Sequence, residues 1–288
     1  MGNRALVLGG GGVTGVAWEI GLIAGLAEVG IDLAAADIII GTSAGSIVGA
    51  DLAAGTDLEA LYAGQLAPAD GLAPARIGPA NTARLGWILM TSRDPERARE
   101  RMGAMALSAR TESEASRRQV FERRFGGRDW PARLRVTAVD AHTGEFVVFD
   151  GSGPAALVDA IGASCAVPGV WPPVTIGGRQ FIDGGMRSAA NADLAAGYDR
   201  VVIIAPIAQG VGYLVSPPRQ AADLTAAGAS VIVVSPGPAA SGAIGRNVLD
   251  PSRREPAARA GRLQAASVAD QIRMIWAADP VAPEDSAG

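Results

Sequence analysis

The turn Gly41-Thr42-Ser43-Ala44-Gly45 constrains this chain more than any other stretch. The apolar run Ile38-Ile39-Ile40 leads into it, and the small-residue stretch Ser46 to Ala54 follows. A buried strand, a sharp turn and a helix are therefore expected in succession, with a serine at the apex. Glycines two residues either side of Ser43 leave room for a strained turn and for a neighbouring backbone at close range. Such a turn lifts the hydroxyl out of the sheet and sets it at a helix N-terminus, where amide dipoles favour developing negative charge. The competing reading is an ordinary helix N-cap, for which serine is a favoured residue.

Strand and helix patterns alternate along the rest of the chain. Arg4 to Gly9 reads as a short buried strand and Val13 to Val29 as a helix with Val16, Ile20, Ile23 and Ala27 on one stripe. Asp57 to Leu66 reads as a further helix, and Pro68 to Pro79 as a Pro/Gly-rich loop. Asn81 to Phe125 reads as helices inserted between sheet strands. Leu134 to Val139 and Glu145 to Phe149 are strand-like runs joined through His142-Thr143-Gly144, and Pro154 to Ser164 is helical. Short strands are expected at Val174 to Ile176 and Gln180 to Ile182, and longer ones at Arg200 to Ala205 and Ser230 to Val234, with a helix near Arg219 to Ala227. Ser235 to Pro256 reads as a mobile loop and Ala257 to Ala278 as a final helix. This order implies a largely parallel sheet covered on both faces. One domain is expected over residues 1–288, with 199–281 completing it and 282–288 frayed.

Composition narrows the partners. Of the 288 residues, 49% are hydrophobic and 19% charged, which is a globular balance. A net charge of −4 gives no support for nucleic acid as the main partner. The chain has no lysine, so its basic residues are all arginine. A single cysteine, Cys165, rules out a disulfide within the chain and reads as a small buried apolar residue. Met1-Gly2-Asn3-Arg4 runs straight into a strand, and Asp37 and Asp51 break the longest apolar stretch. A cytoplasmic protein is expected, with peripheral contact at a membrane surface left open.

Two more stretches carry chemistry. Gly10-x-Gly12-x-x-Gly15 lies between a strand and a helix. It matches a dinucleotide-binding turn, but Asp32 precedes the second strand, whereas that reading needs an acidic residue at the strand's end. Alternatively, the N–H groups of Gly11 and Gly12 converge on one spot, which becomes an oxyanion hole if Ser43 sits nearby. A nucleophilic serine needs a base. The lone histidine, His142, falls in a hairpin turn. Asp183-Gly184-Gly185 ends a strand in a glycine turn and offers a carboxylate, its rival role being an Asp-Gly turn that bonds its own backbone.

With these three motifs in order, the chain resembles the patatin-like phospholipases over about residues 4 to 198. The segment Ala163 to Pro173 also looks like the one that precedes the aspartate in that family. The resemblance implies a three-layer α/β/α sandwich with a mainly parallel central sheet. It implies a Ser-Asp dyad with Ser43 as nucleophile and Asp183 as base, and an oxyanion held by the amides of Gly10, Gly11 and Gly12. Gly15, Gly41, Gly45, Gly184 and Gly185 support these loops. It further implies hydrolysis of lipid or fatty-acyl esters with no metal and no cofactor. Thr14 stands where the family often has a basic residue, which weakens an anion contact expected at that loop. An acyltransferase using the same dyad and a nucleotide-binding protein using Gly10 to Gly15 are the alternatives. Trp87 to Met90 reads equally as a membrane-touching edge, a lid or core. The run Arg97, Arg99, Arg101, interleaved with Glu96 and Glu100, reads as a solvated helix face.

Overall fold

The computed structural model describes residues 2–68 and 74–276. In chain order the elements are β1 (Arg4–Leu8), α1 (Gly12–Glu28), β2 (Ile38–Gly41), α2 (Ala44–Ala53), α3 (Leu58–Leu66), α4 (Pro79–Thr91), α5 (Pro95–Leu107), α6 (Glu114–Phe125), β3 (Leu134–Asp140), β4 (Phe146–Phe149), α7 (Leu157–Ser164), β5 (Val174–Ile176), β6 (Arg179–Asp183), β7 (Arg200–Ile204), α8 (Pro217–Ala226), β8 (Ser230–Val234), α9 (Pro238–Ile244) and α10 (Arg254–Trp276).

The strands form one eight-stranded mixed sheet. Its parallel part runs β3-β2-β1-β7-β8. Side chains alternate across it, as the two-residue strand period requires. Leu6, Leu8, Ile39, Leu134, Val136, Val202 and Ile204 enter one core with α1, α2, α7 and α10. Ala5, Val7, Ile40, Val201 and Ile203 enter another that includes Leu224 of α8. Helices thus cover both faces, as expected for a three-layer α/β/α arrangement. Along α1, the longest contact is with α10. A β-carbon at Gly21 would collide with the Ala258 carbonyl, and one at Gly261 with the Trp18 carbonyl, so glycine lets the two helix backbones touch.

The antiparallel strands determine where the site forms. Val136 of β3 pairs with both Gly41 of β2 and Phe149 of β4, and Ala138 pairs with both Val147 of β4 and Asp183 of β6. A strand has two edges. β4 therefore occupies one edge of β3, while β2 and β6 share the other, end to end. Where β2 stops and turns toward Ser43, β6 takes over and brings in Asp183.

Two expectations need correcting. Ser235 to Pro256 is not a structureless loop: it holds α9 and a 3₁₀ turn at Pro251–Arg253. Pro238 takes the first helical position, where its missing N–H costs nothing, and Ala240 and Ile244 bury against the core containing α10. Pro256 lies inside the first turn of α10 and does not mark a boundary before it. The expected loop at Pro68 to Pro79 falls partly, and the expected frayed end 282–288 wholly, outside the described residues. Trp87 to Met90 divides between the two readings. Ile88 is buried against α5 and β3, whereas Trp87 and Met90 are 64% and 82% exposed. Among the described residues no helix is long and apolar enough to cross a membrane.

Candidate active site

Ser43 sits between β2 and α2 at φ 52°, ψ −114°, a left-handed region that a non-glycine residue enters only under constraint. The constraint comes from its surroundings. A β-carbon at Gly45 would collide with the Leu8 carbonyl, and one at Gly41 would lie 2.5 Å from Ser46 Cα, so neither glycine can be replaced without moving the turn. The Ser43 N–H donates to Ser164 Oγ at 2.9 Å, and its carbonyl accepts from Ser46 Oγ at 2.7 Å and from Cys165 Sγ at 3.4 Å. The Ser43 hydroxyl makes no capping hydrogen bond. Its backbone is therefore fully engaged while Oγ stays free of the N-cap role.

Asp183, 3% exposed, is the last residue of β6. Its Oδ1 accepts from Gly185 N–H at 2.7 Å, so the Asp-Gly turn bond does form, and it occupies one carboxylate oxygen. Burial raises the pKa of Asp183 to about 7; the Gly185 N–H and the nearby Ser43 hydroxyl offset part of that rise. The Ser43 hydroxyl lies close enough to the Asp183 carboxylate to favour its charged form by hydrogen bonding. Catalytic contacts in a free enzyme are often long and tighten with substrate.

The glycine loop lies beside this pair. A β-carbon at Gly10 would touch the Ser43 β-carbon at 3.4 Å. Gly10 N–H itself is donated to the Ala189 carbonyl at 2.7 Å, so Gly10 is not a free donor, contrary to the expectation for all three glycines. Gly11 and Gly12 N–H have no partner among the described residues, because the first turn of a helix leaves such groups unpaired. Gly15 packs on Pro206 and Ala44. Thr14 is buried, and both its N–H and its hydroxyl donate to the Val248 carbonyl, at 3.1 and 3.2 Å. The dinucleotide reading loses its acidic residue, because Asp32 caps the turn Leu33–Ala35 ahead of β2.

His142 is exposed in the β3–β4 turn, and its Nε2 pairs with Gln180 Oε1 at 3.1 Å. Cys165 is buried, as expected, but it is more than packing. Burial and the Asp183 charge push its thiol up to about 12, so it stays protonated and serves as a donor to Ser43. Arg99 donates to the Gly144 carbonyl at 2.6 Å and Arg101 to Ser92 at 2.8 Å, while Arg97 is largely solvated.

Asn191 carries no signal in the sequence, yet it joins the two turns. Its backbone is left-handed, φ 52°, and its side chain is fully buried. Nδ2 donates to Thr42 Oγ1 at 3.1 Å, Gly184 O at 3.2 Å and Ser188 O at 3.0 Å, with Thr137 Oγ1 at 3.4 Å. Thr42 and Thr137 share a further bond of 2.9 Å. One amide thus ties the residue before Ser43 to the residue after Asp183.

No curated protein matches the chain. Solved structures that match include VipD from Legionella pneumophila, with a TM-score of 0.46 and 14% identity over 94% of this chain and 67% of that one. They also include the type III effector protein ExoU, with a TM-score of 0.45 and 17% identity over 95% of this chain and 53% of that one. This chain therefore spans about two thirds of the first and about half of the second. The family model for patatin-like phospholipase matches residues 6–196, which include the glycine loop, the Ser43 turn and the Asp183 turn. The chain belongs to the patatin-like phospholipase family.

Proposed function

We propose that the chain hydrolyses carboxylic esters of lipids through an acyl-Ser43 intermediate, with Asp183 as the base. Membership of a phospholipase family supports a lipid-hydrolysing enzyme. The observation that carries the finer reading is the pairing of a strained, backbone-clamped Ser43 with a buried carboxylate whose pKa is raised to about 7. A base poised near neutrality balances ionisation against proton affinity.

In this reading Asp183 takes the hydroxyl proton as Ser43 Oγ attacks the ester carbonyl. The oxyanion accepts hydrogen bonds from the Gly11 and Gly12 N–H groups, with the N-terminus of α2 adding its dipole. Protonated Asp183 then gives its proton to the departing alcohol oxygen. Water attacks the acyl-enzyme, Asp183 takes a proton from it, and collapse of the second tetrahedral species returns that proton to Ser43 as the fatty acid leaves. Gly185 N–H, bonded to the other carboxylate oxygen, holds the carboxylate plane in place throughout.

The test is a short p-nitrophenyl ester assay with Ser43→Ala, which is expected to lower kcat by at least about 10³-fold. A fluorophosphonate probe should label Ser43 in the folded wild type. Full activity in Ser43→Ala, or labelling elsewhere, overturns the proposal.

A further inference from the structure

The outer face of α4 carries apolar side chains that no described part of the fold covers. Trp87 and Met90 lie one helical turn apart on it, both exposed, and exposed Arg84 continues the same stripe toward the helix N-terminus. Trp87 is the one exposed tryptophan; the other four are buried or half-buried. Charge frames the stripe. Arg101 of α5 donates to Thr91 Oγ1 at 3.2 Å and to Ser92 Oγ at 2.8 Å, which holds its guanidinium at the C-terminal end of α4. Neither Arg84 nor Arg101 forms an ion pair among the described residues, whereas Arg97 has Asp94 at 3.8 Å. Residues 76 to 101 hold six arginines and three acids, Asp94, Glu96 and Glu100, so this segment carries +3 within a chain of net −4. Of those acids, Asp94 is engaged as the N-cap of α5.

The rest of α4 says where this stripe sits. Leu85, Ile88 and Leu89 share a core with Ile182 and Met186, which lie on either side of Asp183. Asn81 Nδ2 donates to the Gly169 carbonyl at 3.0 Å, in the segment after Cys165, whose thiol reaches the Ser43 carbonyl. Just ahead of the helix, the Ala75 carbonyl accepts from Asn247 Nδ2 at 2.9 Å, and the carbonyl of the next residue, Val248, takes the N–H of Thr14 in the glycine loop. The helix is thus tied to the surroundings of the Ser43, Asp183 and glycine turns, while Trp87 and Met90 face away from them into solvent.

A surface that takes this stripe must be apolar in depth and negative at its boundary. An anionic bilayer is both. An indole suits the zone where hydrocarbon meets headgroup, a thioether enters the acyl layer, and arginine heads remain with the phosphates. We propose that the outer face of α4 docks the protein onto an anionic lipid surface, with Trp87 and Met90 inserted and Arg84 and Arg101 against the headgroups. This surface is separate from the pocket in which an ester reacts, and the assignment holds whether or not Ser43 is the nucleophile.

The test is co-sedimentation of Ser43→Ala protein with sucrose-loaded vesicles, so that binding is read without turnover. Vesicles of phosphatidylcholine containing about one third phosphatidylglycerol are compared with vesicles of phosphatidylcholine alone, and the mixed ones are expected to bind at least about ten-fold more tightly. Adding Trp87→Ser with Met90→Ser should weaken that binding at least about ten-fold. Adding Arg84→Gln with Arg101→Gln should bring the two vesicle types to within a few-fold of each other. Wild-type indole fluorescence should shift to the blue on mixed vesicles, and Trp87→Phe should lose that shift. If the serine pair does not fold, as judged by circular dichroism, the arginine pair and Trp87→Phe decide. Absence of binding to mixed vesicles, or binding that survives the serine pair, overturns the proposal. Equal binding to both vesicle types overturns the anionic assignment. A dimer in sedimentation equilibrium that the serine pair dissolves would give this face to a second copy of the chain and overturn the lipid reading. Failure of Ser43 as nucleophile would show separately, in the soluble-ester assay on wild type.

Discussion

Ser43 and Asp183 are each held away from their relaxed state, one in conformation and one in charge. The φ of 52° at Ser43 costs on the order of 1–3 kcal/mol, which the clamps from Ser164, Ser46 and Cys165 offset. Asp183 resists ionising because it is buried, and its pKa rises from 3.8 to about 7. As the proposed base it works only when ionised, so kcat/KM should rise with pH through an acid limb near 7. A limb near 4 in a pH–rate profile would show that burial does not raise the pKa of the titrating carboxylate. Asp183→Asn should lose at least about 10³-fold in kcat while keeping its fold. The Cys165 thiol, pushed up to about 12, should resist iodoacetamide at pH 8 in the native protein and react once denatured. Rapid alkylation of folded protein would contradict its burial.

Between elements, long-range polar ties matter more than local propensity. Asn191 joins the Thr42 turn, Thr137 of β3 and the Gly184 turn. Replacing it with glycine keeps the left-handed backbone and deletes only the amide. Asn191→Gly is therefore expected to lower kcat by about 10- to 100-fold with little change in KM, since it loosens the alignment of Ser43 and Asp183 without touching substrate. A changed KM at constant kcat would argue against this positioning role. A second tie is Asp51 of α2, 1% exposed on its side chain, which is bridged by Arg124 and Arg128 from the end of α6 and the turn after it. Removing one member of a buried pair strands the others. Asp51→Ala should cost roughly 2–4 kcal/mol in urea unfolding, discounted because both arginines are about one-third exposed. A loss below about 0.5 kcal/mol would put this bridge in the class of surface pairs.

For the molecule as a whole, buried acids make stability depend on pH in an unusual direction. Glu19 of α1 is fully buried and neither carboxylate oxygen has a hydrogen-bond partner among the described residues. The nearby donor, Gly9 N–H, is committed to the Ile204 carbonyl at 2.9 Å. Burial raises the pKa of Glu19 well above 4.5. For an acid whose pKa is higher folded than unfolded, the native state holds the extra proton. Its stabilising contribution is complete below the unfolded pKa and is lost as pH rises toward the folded one. Glu19→Gln should therefore gain on wild type in melting temperature as pH climbs above about 4.5, as should Asp183→Asn between about 4 and about 7. A constant difference across that range would mean that neither acid is perturbed.

The chain's local grammar was enough to place the Ser43 turn between a strand and a helix, to end β6 at Asp183 and to open α1 at the glycine loop. Each of those depends on backbone preferences spread over a few neighbouring residues. It failed at Ser235 to Pro256, where Pro and Gly suggested a loop and burial of Ala240 and Ile244 made a helix. Only the assembled sheet decided that Gly10 would spend its N–H on Ala189, that Asn191 would join the two turns, and that Arg117 Nε would find no hydrogen-bond partner among the described residues. Those outcomes depend on which distant segments exclude water from one another, and no periodicity or spacing in a single strand of text encodes that.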